Sequence, residues 1–335
     1  MTTLNINDIQ AAAARIHVHT TPVLTSTILN EIAEYQGLTR QLLFKCELLQ
    51  KSGSFKFRGA SNAIALLSNE DAQKGVCTHS SGNHAQALAL AAKLRGIPAY
   101  VVMPSNSPEV KKSAVRGYGA KVIECEPTLQ AREDTAAKVI ADTGATFIHP
   151  FNNFNVMAGQ GTMALELLKQ AEDQGTPLDA IIVPVGGGGM LSGIATAIRN
   201  LSPKVKIFAA EPMNVNDCSL SFVAKDHVLN AVGATSVADG LLTNVGTNTL
   251  PIILDKVDGV FTVSEEDIIR TTKLVWTYLK LCIEPSAAVG VSVALHNKEF
   301  KAMCDEQNIR NIGVILCGGN VDIVKIAKLF ENCEQ

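Results

Sequence analysis

The chain has 335 residues, enough for two domains of ~150 residues each. Apolar residues make up 47% and charged residues only 18%, so the chain can bury a large core and leave surface for a partner subunit. The formal net charge is −3, aromatic residues make up 5% and no basic stripe is present. This composition argues against nucleic acid or an anionic membrane as the main partner.

Short β-rich runs alternate with helical patterns along most of the chain, and several of the runs are almost wholly apolar. The predicted strands cover residues 43–47, 75–79, 99–103, 121–124, 146–149, 180–185, 205–211, 260–263 and 312–317. The predicted helices cover residues 85–94, 132–142, 158–170, 194–201, 265–281 and 287–296. Apolar strands are expected where both faces of a parallel sheet are covered, so the pattern predicts an α/β protein with a mostly parallel sheet.

No linker or repeat marks a domain boundary, which must therefore come from topology. The β/α units between about residues 75 and 150 are compact enough to form a small inserted domain. We expect residues 71–150 to form this small domain, and residues 1–70 and 151–335 to form a large one. Ligands in such folds bind at the carboxyl ends of strands, where four loops of this chain are unusual.

The first unusual loop, SGSFKFRGA at residues 52–60, places Lys56 between Phe55 and Phe57. Apolar surroundings lower the pKa of a lysine, and a neutral amine can attack an aldehyde and hold it as a Schiff base. From the residue type alone, a solvated loop lysine is the commoner interpretation.

The other three loops present hydroxyls, glycines and a thiol. THSSGNH at residues 78–84 precedes a helix and offers donors to an anion, although an ordinary helix cap fits as well. The run Gly186–Gly189, followed by Met190, lets successive N–H groups converge on a phosphate, and its entropic cost argues against a merely flexible loop. Cys317 opens the fourth loop, where a buried packing thiol is the commoner interpretation. A Schiff-base lysine, a phosphate cradle and an anion pocket together indicate pyridoxal phosphate chemistry.

The beginning of the chain and its cysteines indicate a cytoplasmic protein. Residues 1–15 carry acid and lack the apolar segment of a signal peptide. The eight cysteines include no CxxC pair, so no zinc or disulfide framework is predicted, and free thiols suit a reducing compartment. The longest uncharged run, 180–198, contains Pro184 and the four glycines, which is typical of strand, loop and helix rather than a membrane span.

The motifs SGSFKFRGA, SSGNH, VPVGGGGMLSGI, IEPSAAVGV and LCGGNVD, in this order, resemble the serine racemase and serine/threonine dehydratase family. The resemblance runs from about residue 21 to residue 326. It implies a fold-type-II pyridoxal phosphate enzyme of the tryptophan synthase β kind, with two open, mostly parallel twisted sheets and helices on both faces. The large domain would bind the cofactor, the small mobile domain would bind the substrate, and the enzyme would be a homodimer.

The resemblance also implies a role for each loop. Lys56 would carry pyridoxal phosphate and act as base on one face of the substrate Cα, and Ser81 would act on the opposite face. The cofactor would further contact Phe55, Asn83, Gly186, Gly187, Gly188, Gly189, Met190 and Cys317, and the substrate carboxylate would contact Ser80, Ser81, Gly82 and Asn83.

A divalent cation site is implied in the segment EPMNVND at residues 211–217. By resemblance its ligands are Glu211, the backbone carbonyl of Val215, and Asp217. These hard oxygen ligands suit Mg²⁺, Ca²⁺ or Mn²⁺, whereas without the resemblance two surface carboxylates would be the favoured interpretation. Animal serine racemases are activated by nucleotide, so ATP is a further candidate ligand.

The implied activity is interconversion of L- and D-serine, with elimination of serine to pyruvate and ammonia as a side reaction and L-threonine as a poorer substrate. Phe151 departs from the racemase pattern, because animal racemases carry Asn after His149-Pro150 while many threonine dehydratases carry Phe. Two alternatives therefore stay open. One is an L-threonine/L-serine dehydratase without significant racemisation, and the other is a 3-hydroxyaspartate or aspartate racemase-dehydratase.

Two interpretations outside this chemistry explain less of the chain. The spacing of Gly187, Gly189 and Ser192, with Glu211 one strand later, nearly fits a dinucleotide-binding fingerprint, but a nicotinamide dehydrogenase leaves the Lys56 motif unexplained. A non-catalytic amino-acid or cofactor binder would have no need for both Lys56 and Ser81.

Overall fold

The computed structural model describes residues 3–331, which form ten strands and fifteen α-helices. The strands are β1 (Val23–Leu24), β2 (Gln41–Lys45), β3 (Val76–His79), β4 (Ala99–Pro104), β5 (Lys121–Cys125), β6 (Thr146–Phe147), β7 (Ala180–Pro184), β8 (Lys206–Pro212), β9 (Gly259–Val263) and β10 (Asn311–Ile315). Within this range no helix is long and apolar enough to cross a membrane.

Most of the helices connect consecutive strands, and three short 3₁₀ helices lie at Glu47–Leu49, Lys51–Gly53 and Asp239–Leu241. The α-helices are α1 (Ile6–Arg15), α2 (Thr27–Ala33), α3 (Lys56–Ala65), α4 (Asn69–Lys74), α5 (Asn83–Arg95), α6 (Glu109–Gly117), α7 (Leu129–Thr143), α8 (Phe154–Asp173), α9 (Gly189–Leu201), α10 (Asp217–Ala224), α11 (Leu250–Lys256), α12 (Glu265–Tyr278), α13 (Pro285–His296), α14 (Lys298–Glu306) and α15 (Ile323–Glu331).

The strands form two separate sheets. The larger has the order β1-β2-β10-β7-β8-β9, in which only the edge strand β1 is antiparallel, with Val23 opposite Lys45. All five residues of β7 are buried, because helices cover both faces of this central strand. The smaller sheet has the order β5-β4-β3-β6 and is entirely parallel. These sheets confirm the predicted α/β class.

All nine predicted strands and all six predicted helices are present, with ends shifted by a few residues. The prediction that Lys56 lies on a loop is wrong, since Lys56 is the first residue of α3. The helix forms because Phe57, Ala60 and Ile64 recur at helical spacing and are buried with the core beneath the smaller sheet. Helix α3 packs between α5 and α8, so it joins the two parts of the molecule.

A buried network of four charged side chains holds α3 in place. Arg58, two residues after Lys56, makes bidentate contacts of 2.7–2.8 Å with both Glu47 and Glu166. Lys45 on β2 donates to the same Glu166 carboxylate at 2.6 Å. The side chains of Arg58, Glu47 and Lys45 are fully buried, so each charge depends on its partners. The network ties α3 to β2 and α8.

We predict that Glu166→Gln destabilises the protein by about 3 kcal/mol, because it leaves two buried cations facing one carboxylate. The measurement is the free energy of unfolding from denaturant titration followed by circular dichroism. The matched control is Asp173→Asn on the same helix, which removes the exposed ion pair to Lys169 and should leave the unfolding midpoint nearly unchanged. Equal midpoints for the two variants would contradict the prediction.

Candidate active site

The amine of Lys56 lies at the junction of three segments. Its Nζ atom donates a hydrogen bond to the carbonyl oxygen of Pro150 at 3.0 Å and lies 5.1 Å from the centroid of the Phe55 ring. The backbone N–H of Phe55 donates to the carbonyl of Cys317 at 3.1 Å, which fixes the start of α3 at the end of β10. Burial lowers the pKa of Lys56 to about 8, against smaller opposing effects of Cys317 and Glu284. Near neutral pH a usable fraction of the amine is therefore uncharged and nucleophilic.

The four glycines form a buried turn between β7 and α9. The N–H groups of Gly186, Gly187, Gly188, Gly189 and Met190 donate no hydrogen bond to any residue in the range 3–331. Buried N–H groups are rarely left without an acceptor, and these lie at the positive end of a helix. This donor set therefore fits a phosphate group.

Two contacts explain why glycine is needed here. A Cβ on Gly187 would lie 2.3 Å from the ring of Phe151, and Gly188 has φ +84° with the Thr249 hydroxyl 2.8 Å from where a Cβ would be. Thr249 Oγ1 also donates to the carbonyl of Gly187 at 2.8 Å. Larger residues would push the loop away from Phe151 and Thr249, so the close approach depends on the missing side chains.

The SSGN loop connects β3 to α5, and its serines are half-buried. Ser80 Oγ accepts a hydrogen bond from the N–H of Gly82 at 3.4 Å, while the Ser81 hydroxyl has no hydrogen-bond partner in the described part of the chain. Asn83 begins α5, and its amide donates to Glu284 at 2.8 Å. The Asn83 carbonyl oxygen accepts from Asn320 at 2.8 Å. Asn83 thereby brings the SSGN loop to the loop that follows β10.

Glu284 and Asn320 were not predicted as site residues. Glu284 lies within the motif IEPSAAVGV, directly before the helix α13, and its N–H donates to the carbonyl of Gly318 at 3.0 Å. Burial raises the pKa of Glu284 to about 7, and the hydrogen bond from Asn83 opposes the shift. The sequence feature that could have identified Glu284 is a carboxylate at the start of a helix, within an apolar stretch. Cys317 is buried, and burial raises the pKa of its thiol well above the usual range, so it is a neutral group beside Lys56.

The structure thus brings the residues predicted for the cofactor to one place, to which Asn83 joins the SSGN loop. Phe55, Lys56 and Cys317 meet at the end of β10, Asn83 connects to the same loop through Asn320, and Pro150 and Phe151 connect Lys56 to the glycine loop. A buried amine suits an aldehyde and the free N–H groups suit a phosphate, so the residues fit pyridoxal phosphate.

The predicted cation segment lies apart from these residues, at the end of β8. The side chains of Glu211 and Asp217 are fully buried, and no lysine or arginine pairs with either within residues 3–331. Burial, together with the nearby Asp217, raises the pKa of Glu211 to about 8, although the N–H of Ser219 opposes the shift. The carbonyl oxygen of Val215 accepts no hydrogen bond from the described residues. Two buried acids and a free carbonyl fit a hard cation, although the described residues contain no cluster of three His, Cys, Asp or Glu side chains that could hold a metal.

Comparisons with known proteins point to enzymes that use pyridoxal phosphate. The family model for pyridoxal-phosphate dependent enzymes matches residues 14–318. The chain is 47% identical to the serine racemase of Dictyostelium discoideum over 333 residues, 98% of this chain and 99% of that protein. The solved structure of maize serine racemase matches with a TM-score of 0.92 and 41% identity, covering 98% of both chains.

The solved structure of a threonine deaminase from T.th. also matches, with a TM-score of 0.87 and 39% identity over 95% of this chain and 99% of that chain. The likeness to both kinds of enzyme covers nearly the whole chain and includes both sheets. Its two-sheet architecture is that of the fold-type-II enzymes, and the chain belongs to the family of pyridoxal-phosphate dependent enzymes.

Proposed function

We propose that this chain is a pyridoxal-phosphate dependent serine racemase that also eliminates water from serine to give pyruvate and ammonia. The observation that carries the proposal is a desolvated lysine that Pro150 and Phe151 connect to a glycine loop with free N–H groups. Asn83 joins the SSGN loop to the same region. The identity of 47% and 41% to two serine racemases, over nearly the whole chain, supports the same activity.

The proposed cofactor contacts follow the family resemblance, and the free N–H groups of the glycine loop support them. Lys56 would be joined to the cofactor aldehyde, and the N–H groups from Gly186 to Met190 would bind its phosphate. Phe55 and Asn83 would contact the pyridine ring and its phenolic oxygen. Cys317 would face the ring nitrogen as a neutral partner, which leaves the ring less electron-withdrawing than a carboxylate would.

Bound pyridoxal phosphate supplies an electron sink that stabilises negative charge at the substrate Cα. In the proposed reaction, Ser80, Ser81, Gly82 and Asn83 orient the substrate by its carboxylate. The Lys56 amine removes or returns the Cα proton on one face, and the Ser81 hydroxyl does so on the other. Elimination needs proton removal on one face only, whereas racemisation needs both.

The remaining features of the proposal concern organisation. Residues 71–150 would form a small domain that moves over the substrate, since they contain the whole smaller sheet and a buried cluster of Cys77, Val102, Ala136 and Ala145 on one of its faces. The core on the other face is shared with α3. Exposed Leu24 and Ile28, at the β1 edge of the larger sheet, support a homodimer. The amino-acid substrate would be serine, and threonine would be a poorer substrate. The protein would act in the cytoplasm. Activation by ATP stays a prediction.

We also propose that Glu211, the Val215 carbonyl and Asp217 hold a divalent cation, with Mg²⁺ as the first candidate. The cation would compensate two buried negative charges. Glu211 on β8 already accepts N–H groups from Cys218 and Ser219 on α10 at 3.0 and 2.9 Å, so a cation bound to Glu211 would strengthen the link between β8 and the start of α10. Its role would be structural, since these ligands lie outside the cluster around Lys56.

We predict that Ser81→Ala abolishes racemisation while L-serine elimination stays measurable. Loss of a positioned acid/base group costs about 10²–10⁴-fold, so D-serine formation from L-serine should fall by at least that lower value. Pyruvate from D-serine should fall with it, because that proton lies on the face of Ser81. The measurement is D-serine by chiral chromatography and pyruvate by a coupled assay in the same reaction.

Ser80→Ala is the matched control for this prediction. It removes a neighbouring hydroxyl that would orient the carboxylate, so racemisation and elimination should decline together. If Ser81→Ala lowers both reactions equally, Ser81 has no role specific to the second face. Wild-type protein that forms pyruvate but no D-serine would instead make the chain a dehydratase.

We predict that Mg²⁺ raises the melting temperature of the chelator-treated protein, and that Asp217→Asn removes this response. At a metal concentration ~100 times the dissociation constant, binding stabilises the folded state by about 2.7 kcal/mol. The measurement is thermal unfolding with and without Mg²⁺. Exposed Asp226 gives the control, since Asp226→Asn should respond to Mg²⁺ as the wild type does. A full response in Asp217→Asn would refute the site.

A further inference from the structure

His149 lies in the segment that returns the chain from the smaller sheet to the larger part of the molecule. It follows β6, and α8 begins five residues later at Phe154. The half-buried ring packs against neighbouring aromatic rings, with centroids 6.1 Å from Phe147 and 4.5 Å from Phe151. The residue directly after His149 is Pro150, whose carbonyl oxygen contacts Lys56.

The Nδ1 atom of His149 is an acceptor for two backbone groups. It accepts the N–H of Asn152 at 2.9 Å and the N–H of Phe151 at 3.2 Å. Because both partners are donors, Nδ1 carries no proton and the ring proton lies on Nε2. Burial, together with the nearby His79 and Lys56, lowers the pKa of His149 to about 4, so the ring stays neutral at neutral pH. The turn from His149 to Asn152 is therefore held at its start by one neutral side chain. Its last residue, Asn152, also accepts the N–H of Asn248 at 2.8 Å and donates to the Thr247 hydroxyl at 3.1 Å.

This turn contacts two parts of the site. The carbonyl of Pro150 accepts the hydrogen bond from Lys56 Nζ at 3.0 Å, the one hydrogen bond that this amine makes within residues 3–331. The ring of Phe151 lies over Gly187, so close that a Cβ on Gly187 would collide with it. The Phe151 ring also meets His149 edge-on, at an interplanar angle of 86°. A shift of the turn would therefore displace both the Pro150 carbonyl that contacts Lys56 and the Phe151 ring that covers the glycine loop.

We propose that His149 is a positioning residue whose Nδ1 acceptor holds the 149–152 turn so that Pro150 orients the Lys56 amine and Phe151 covers the glycine loop. The inference rests on the proposed function, because it assumes that Lys56 carries the cofactor. The acceptor must be at the Nδ1 position, since Nε2 lies on the other side of the ring and bears the proton.

The test compares three variants of His149. In His149→Asn the amide oxygen takes approximately the place of Nδ1, whereas His149→Gln puts its oxygen near Nε2 and His149→Leu has no acceptor. Small misplacements of reacting groups cost up to ~10²-fold, so we expect kcat to fall at least ~10-fold in the Gln and Leu variants, with KM little changed. The Asn variant should stay within ~3-fold of the wild type. If the Leu variant does not fold, the Gln variant carries the comparison.

A second measurement does not depend on turnover. The affinity for pyridoxal phosphate, from titration of the visible absorbance of reconstituted protein, should follow the same order, with Gln and Leu weakened at least ~10-fold relative to Asn. Melting temperatures that differ little between Asn and Gln would show that both are folded. Equal kcat and cofactor affinity for Asn and Gln would overturn the proposal. Wild-type protein that makes no D-serine would overturn the proposed function, yet the order of cofactor affinities would still decide the role of His149.

Discussion

The chemistry of this fold depends on lowering the pKa of the Lys56 amine at the first turn of α3. Two effects oppose a positive charge there. Burial removes the amine from water, and the N-terminal end of a helix carries a partial positive charge of its own. Its hydrogen-bond partner is a neutral carbonyl rather than a carboxylate. An amine in this position is disposed to form a covalent bond to an aldehyde.

A helix that begins with such a residue needs support elsewhere, and the Arg58 network supplies it. Arg58 lies on the same turn as Lys56, and its guanidinium is held by four short contacts to two carboxylates. The charges balance within the network, so α3 is fixed without a carboxylate next to the amine. The glycine loop is supported in a similar way, because Thr249 and Phe151 pack against it while its N–H groups stay free.

Much of this arrangement could be predicted from the sequence, for identifiable reasons. The strands of both sheets are apolar runs, and Gly186–Gly189 lies between one of them and a helix, so the phosphate cradle was visible in the residues alone. The start of α3 was missed because Ser, Gly and Phe around Lys56 are weak helix formers, and tertiary packing of Phe57 decides the helix instead. Glu284 and Asn320 were missed because their partners are far away in sequence: Asn83, for example, lies 201 residues before Glu284. His149 hydrogen-bonds its near neighbours Phe151 and Asn152, but the adjacent Pro150 carbonyl contacts Lys56, 94 residues away in sequence.

The account is tested most directly by the site of covalent attachment. Protein reconstituted with pyridoxal phosphate is reduced with sodium borohydride, digested and analysed by mass spectrometry. We expect the reduced adduct on the peptide that contains Lys56, because its amine is buried at low pKa beside free phosphate donors. An adduct on a different lysine, or none at all, would contradict the assignment of the site.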